Sequence, residues 1–459
     1  MFLALLLAAS LSEWIPVRWP SGDPATLELL AGTPVNCLLV ERQHWSASLS
    51  AKAAGQNVQL LGSVRPKEDI AAAIHTAREQ GMHGVVLEGD FAAAQSDAAR
   101  KLAGDAKLAL VELPSRRGIR FQSGASILGT WQGVWPGIRP VDESEGAHAM
   151  PSGGPWIDTN TGFLRYARSL HSEAFWIANT PPEGQVIPVD RYLQVIGDAA
   201  MVGARWVVAL DNGFSRRLMG GETAALADWK RICAQLAFYE DHSNYRGVPA
   251  YGQMAVVQDD SSGALLSGSV LDMIAVKHTP VRPVPGSRLG PQTLSRATMA
   301  VNLDPESLTP EQKEALRSFT RGGGTVLNGP PGWKMPSTSK NGLTVDIEDV
   351  EKLDQIWKEM NAMAGRRNLG VRLFNVSSML SFFQASRDGK LAVLHLVNYS
   401  GYPIESVTAH VLGRYKRAWL SAPGGPRKPV ETYEVEEGAG TGLDIEVVAS
   451  AAIVVMERE

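Results

Sequence analysis

The segment Gly84-Val85-Val86-Leu87-Glu88-Gly89-Asp90 decides how this chain is read. It is a short aliphatic run that closes on a carboxylate and a glycine turn. No polar residue alternates within it, as expected of a strand covered on both faces in a parallel sheet. Stretches of helical spacing flank it, Pro66–Gln80 before and Phe91–Leu102 after. Pro66 stands where a first helical turn accepts proline, and Gly81 and Gly203 where helix ends take glycine.

The same unit recurs outward from this segment. Val35–Glu41, Asn57–Val64, Leu108–Leu113, Ser126–Trp131, Trp156–Asp158, Phe175–Asn179 and Trp206–Asp211 bring the runs to eight. Thr161–His171, Asp190–Gly203 and Glu222–Tyr239 read as further helices. Eight strands alternating with helices predict a (β/α)₈ TIM barrel over residues 13–246. Pro114–Ser123 and the Gly- and Pro-rich Gln132–Gly154 show no helical pattern, so the barrel is compact and irregular. A doubly wound open sheet is the competing architecture.

A length of 459 residues leaves room for two more domains. Gln253–Gln258, Ala297–Leu303 and Thr325–Asn328 read as strands, and Ser262–Lys277 and Glu348–Asn361 as helices. Thr309-Pro310-Glu311-Gln312 has the residue types of a capping box with proline at the first helical position. These features predict a small α/β domain over 247–366. From Val371 the pattern changes to period two, and Lys390–Asn398, Ile404–Leu412, Arg417–Leu420, Val430–Val435 and Gly442–Met456 predict an antiparallel β-sandwich over 367–459.

Composition excludes several classes. Hydrophobic residues at 44% and charged residues at 20% describe an ordinary globular chain. A net charge of −4 provides no global field for nucleic acid or anionic lipid; the short Ser115–Arg120 cluster reads as a solvated loop. Two cysteines, Cys37 and Cys233, rule out a disulfide scaffold or a four-thiolate zinc site, and both are expected as buried free thiols. No histidine spacing suggests a metal. Glu41-Arg42-Gln43-His44-Trp45, after the first run, lacks the glycines of a dinucleotide-binding turn, so no cofactor is expected.

The order of barrel, small α/β domain and β-sandwich resembles multidomain glycoside hydrolases, in particular the layout of family 42 β-galactosidases. Ser307–Gln312 through Phe319–Gly324 resembles their glutamine-amidotransferase-like domain, and His395–Ser400 their C-terminal sandwich. The resemblance implies carbohydrate chemistry. Neither cysteine lies in the middle domain, so that domain lacks the nucleophile of amidotransferase chemistry and reads as a structural or homo-oligomerisation surface.

Barrel enzymes place their catalytic groups at the C-terminal ends of strands. Here the runs end in Glu41, Glu88, Glu112, Asp158, Asn179 and Asp211. Glycosidic cleavage needs one protonated and one ionised carboxyl. Glu112 and Asp158, closing the fourth and sixth runs, are the expected pair, a placement that resembles the α-galactosidase clan; Asp211 and Glu88 are further catalytic candidates. Asp90 is expected to cap the helix that follows it. Glu41, Trp131, Gln132, Trp135, Asn160 and Asn179 are the expected substrate-binding residues, the tryptophans as stacking faces for sugar rings. A glycoside hydrolase acting on an oligo- or polysaccharide is the first reading. A non-catalytic carbohydrate-binding or scaffolding barrel is the second, and a lyase using the same acidic mouth the third.

Phe2–Ala9 is too short to span a bilayer but suits the core of a secretory signal within residues 1–12, which implies a secreted or periplasmic protein; without cleavage the location is cytoplasmic. The expected outcome is an N-terminus between about Ser10 and Glu13 in mass spectra of protein from the native host. An intact Met1 in the cytosolic fraction would refute export.

Overall fold

The computed structural model describes residues 11–136, 159–258, 271, 279–303, 305–329, 347–365, 367–376, 378–435 and 440–458. The chain forms two units. One holds the described residues up to Trp135 together with His171–Asp241; the other holds those between Pro136 and Leu170 together with His242 onward.

The first unit is a closed eight-stranded parallel barrel. Its strands are β1 (Pro16–Arg18), β2 (Cys37–Val40), β3 (Gln59–Val64), β4 (Gly84–Glu88), β5 (Ala109–Leu113), β6 (Ile127–Thr130), β7 (Phe175–Ala178) and β8 (Arg205–Ala209). Each pairs with the next, and β1 pairs with β8 to close the sheet. Helices α1 (Ala47–Gly55), α2 (Ile70–Glu79) and α3 (Ala93–Ala106) follow β2, β3 and β4. The apolar runs form strands because both faces are covered: Leu39, Leu61, Val86, Val111, Trp176 and Val207 fill the interior, and the alternate residues face the helices.

One strand departs from expectation. β1 is only three residues long and begins with Pro16, which is tolerated at the first position of a strand. It takes a place in the sheet that the sequence reading gave to Trp156–Asp158, a segment outside the described residues. Glu112 is therefore on the fifth strand and Trp131 follows the sixth.

Between β6 and β7, α4 (Thr161–Leu170) belongs to the second unit, not to the barrel where it was expected. Its Tyr166 joins the core of that unit beside Met254, Val256 and Val301, and its Arg165 donates to the Ser381 carbonyl at 2.6 Å. In the first unit α5 (Val189–Met201), α6 (Asn212–Met219) and α7 (Thr223–Asp241) complete the helices. Cys37 in the barrel interior and Cys233 on α7 are both buried and free.

The second unit continues with β9 (Met254–Gln258), β10 (Val281–Pro285), β11 (Met299–Asn302) and β12 (Thr325–Asn328), a parallel sheet in the order β10-β9-β11-β12. β10 was not expected because it carries two prolines; as an edge strand it accommodates them. The expected capping box is present: Thr309 Oγ1 accepts from the Gln312 amide at 3.3 Å, and Gln312 Oε1 from the Thr309 amide at 2.8 Å, opening α8 (Pro310–Arg321). Ser262–Lys277 lies, apart from Leu271, outside the described residues. α9 (Ile347–Ala364) leads to the antiparallel part.

That part has two sheets. One orders β13 (Val371–Phe374), β16 (Ile404–Leu412), β20 (Gly440–Val448) and β19 (Thr432–Glu434). The other orders β14 (Met379–Ala385), β15 (Leu391–Asn398), β21 (Ala451–Glu457), β17 (Arg417–Ser421) and β18 (Lys428–Val430). Val371, Val407 and Ile445 from the first share one apolar core with Phe383, Leu394 and Val454 from the second. His395 of β15 is buried with Nε2 2.9 Å from Gln384 Oε1, while its Nδ1 has no partner. Burial, with His242 nearby, pushes this imidazole down to about 3.

The unfolded chain takes up a proton at His395 below about pH 6.5, the ordinary histidine value, and the folded chain resists it. The stability contributed by the neutral ring is complete above that pH and is lost as pH falls toward 3. Urea midpoints measured from pH 7 to pH 4 should decline, and His395→Leu should flatten part of that slope. An unchanged slope would show that another group is responsible.

Candidate functional site

The C-terminal ends of the barrel strands carry a four-residue ion network. Arg18 at the end of β1 donates from Nη1 to Glu41 at 2.6 Å and from Nη2 to Glu88 at 2.5 Å. Arg65, just beyond β3, holds the same two carboxylates from one nitrogen, at 2.9 Å from Glu41 and 3.3 Å from Glu88. The placement follows from the pleat. Leu39, Leu61 and Val86 face the interior, so Glu41, Arg65 and Glu88, each an even number of residues further along, point the same way. Glu88 is buried and Arg18 only slightly exposed, whereas Glu41 and Arg65 are partly open. Burial by itself would lower the Arg18 pKa; the charges and hydrogen bonds of Glu88 and Glu41 outweigh it and raise the value.

Beside the network lies a cleft of about 590 Å³. Arg18, Glu41 and His44 line one side, Thr180–Val186 after β7 another, and Ala209–Gly213 after β8 the third. Asp211 contributes to this wall but is tied into the fold. Its Oδ1 accepts from the Phe214 amide at 2.9 Å, capping α6, and its Oδ2 accepts from the Ile187 amide at 3.2 Å and the Tyr192 hydroxyl at 3.1 Å.

Of the expected catalytic residues, Glu88 is thus at the mouth, and Asp211 is there as a helix cap. Glu112 is not. Ala109, Val111 and Leu113 face the interior, so Glu112 between them faces the helices, where it accepts from Arg100 Nε of α3 at 2.9 Å. It opens on a separate cleft of about 260 Å³ with Asp90, Ser96 and Arg117. The pairing of Glu112 across the mouth is therefore corrected by the phase of the strand. Asp158 lies outside the described residues. Asp90 does not cap α3: its Oδ1 accepts from the Ser115 amide at 2.8 Å, joining the loops after β4 and β5.

The expected substrate-binding residues divide similarly. Glu41 is in the network. Asn179 donates to the Gly133 carbonyl at 2.7 Å, beside Thr180 of the cleft wall. Trp131 is exposed after β6 but is not among the cleft-lining residues. Gln132 accepts from the Arg116 amide at 2.8 Å and bridges two loops. Trp135 is 2% exposed and packs edge-on against Tyr192 and Trp206, each at 5.1 Å, so it presents no stacking face. Asn160 is buried in the second unit. Arg18 and Arg65 were missed; the signal was available, since an acidic strand-end ring needs cations at equivalent positions. Among the described residues no three His, Cys, Asp or Glu side chains gather as metal ligands, and no helix is long and apolar enough to cross a membrane.

No protein-family model matches this chain. No curated protein matches it either. Among solved structures it is similar to α-L-fucosidase isoenzyme 2 from Paenibacillus thiaminolyticus, with a TM-score of 0.61 and 11% identity over 98% of this chain and 100% of that one. It also matches a 3-hexulose-6-phosphate synthase (TM-score 0.32, 14% identity) over 49% of this chain and 98% of that one. A mutant tryptophan synthase α-subunit from Pyrococcus furiosus matches over 49% and 98% (TM-score 0.30, 11% identity). At that identity the first likeness shows a shared fold alone.

Replacing Arg18 with Met would leave Glu88 buried with only the longer Arg65 contact. Breaking a buried pair costs about 3–5 kcal/mol, and the partial exposure of Glu41 places this variant toward the lower end. The check is a lowered urea midpoint. Arg18→Lys should fall between, because an ammonium cannot span both carboxylates as the guanidinium does.

Proposed function

We propose that this chain is a carbohydrate-active protein of glycoside hydrolase type that takes part of an oligo- or polysaccharide into the cleft at the barrel mouth. The observation that carries the reading is the pair Glu41 and Glu88, held together by Arg18 at the C-terminal face of a barrel. The full-length fold likeness to an α-L-fucosidase supports it. In this reading Glu88 supplies the nucleophile or general base. The donor expected from the sequence, Asp158, lies outside the described residues. Sugar hydroxyls would meet Glu41, His44, Asn212 and Arg216 along the cleft.

A second reading, a non-catalytic carbohydrate-binding barrel, is favoured by a specific observation. Glu41 and Glu88 are both ion-paired and Asp211 is a helix cap, so each of these carboxylates already serves the fold.

Reducing-sugar release across α- and β-linked glycans separates the two. The hydrolase reading expects turnover that falls by ~10²–10⁴-fold in Glu88→Gln, the usual loss for such a group. Saccharide binding by calorimetry without release from any glycan would select the second reading. Neither binding nor release would reject both.

A further inference from the structure

The outer face of the sheet β13-β16-β20-β19 carries a strip of rings that the barrel reading does not use. In β13, Val371 and Leu373 enter the core, which turns Arg372 and Phe374 outward. His410 of β16 pairs with Arg372 on one side and Gly442 of β20 on the other, and Tyr433 of β19 pairs with Gly442. Phe374 and His410 have ring centres 4.8 Å apart, and His410 and Tyr433 6.2 Å apart. Phe374 is 38% exposed and Tyr433 42%. Gly442 is needed for this arrangement: a Cβ there would lie 2.1 Å from Tyr433 Cε2, so only glycine lets the phenol ring lie over the strand.

Polar groups border the rings. Thr408 Oγ1 donates to Asp444 Oδ1 at 2.6 Å, and the Tyr433 phenol stands near the same carboxylate. The Arg372 guanidinium stands 5.6 Å from the centre of the Phe374 ring. Partial burial, with Arg372 nearby, lowers the His410 pKa, leaving a neutral imidazole able to donate and accept.

We propose that this face is a second carbohydrate site, which takes a single soluble glycan chain laid across the four strands. The successive ring centres stand about one pyranose repeat apart. A pyranose offers a C–H face to a ring and hydroxyl edges to flanking donors and acceptors, and the strip supplies both in alternation. Arg372 and Asp444 lie within the strip, where they offer a donor and an acceptor to hydroxyl edges. The rings are inclined by 58° and 86° to one another, so they form no flat platform of the kind the face of a crystalline polymer needs. The site belongs to the sandwich and stands whether or not the barrel hydrolyses anything.

Native affinity electrophoresis of the full chain in gels cast with laminarin, amylopectin or galactomannan tests the site. The expected result is retardation in at least one gel, retained in Glu88→Gln. It should weaken about tenfold in Phe374→Ala or Tyr433→Ala, a loss on the scale of one aromatic contact. Tyr433→Phe, which keeps the ring, should retain most of the binding and so separates stacking from misfolding. The proposal is overturned by retardation in none of the gels, by unchanged retardation in the Phe374→Ala/Tyr433→Ala double variant, or by loss in Glu88→Gln alone. Sedimentation with microcrystalline cellulose in preference to the soluble glycans would also overturn it.

Discussion

The Arg18 guanidinium organises the mouth of the barrel. It sits on the shortest strand of the barrel, three residues long, and binds carboxylates carried by β2 and β4. Those carboxylates in turn hold Arg65 beyond β3, so four consecutive strands are tied at their ends by one network. Two acidic side chains facing into a closed sheet would repel each other and lose hydration; two arginines let them stay. The same balance decides the chemistry available there. A carboxylate fixed by two cations is a place to hold or stabilise charge.

The second organising constraint is the double burial of the strands. Helices cover the outside and side chains fill the inside, so each strand is a nearly unbroken apolar run. That makes the barrel legible: seven of the eight runs in the sequence became its strands. It also hides the pleat, because hydropathy does not tell which alternate set faces inward. Glu88 ends its run in phase with Val86 and reaches the mouth. Glu112 precedes a final inward Leu113 and so points to Arg100. The sequence holds the type and position of both acids, but only the sheet's phase distinguishes them.

Other differences have equally local causes. Pro16–Arg18 is too short for a periodic signal and starts with proline, yet it closes the barrel. Trp135 lies beside Gly133 and Pro136, a context that suggests an open loop, but an aromatic cluster formed by Tyr192 and Trp206 draws it in. Asp211-Asn212-Gly213-Phe214 carried its cap in plain view, since aspartate before a helix accepts from the third amide along. The Thr309 capping box was legible for the same reason: its bonds form between residues three apart and need no tertiary partner.

The placement of α4 has a consequence for the chain's history. A helix encoded between the sixth and seventh barrel strands belongs to the core of the other unit, beside residues encoded some ninety positions later. Neither unit is a continuous cassette. A gene cut at residue 241 would yield a complete set of barrel strands together with a helix stripped of its core, and the downstream fragment would lack Tyr166 from its interior. On the ribosome, that helix emerges before any strand of the sheet it joins and must wait for them. Such interleaving resists the exchange of whole domains between genes, so the two units are bound to be inherited together.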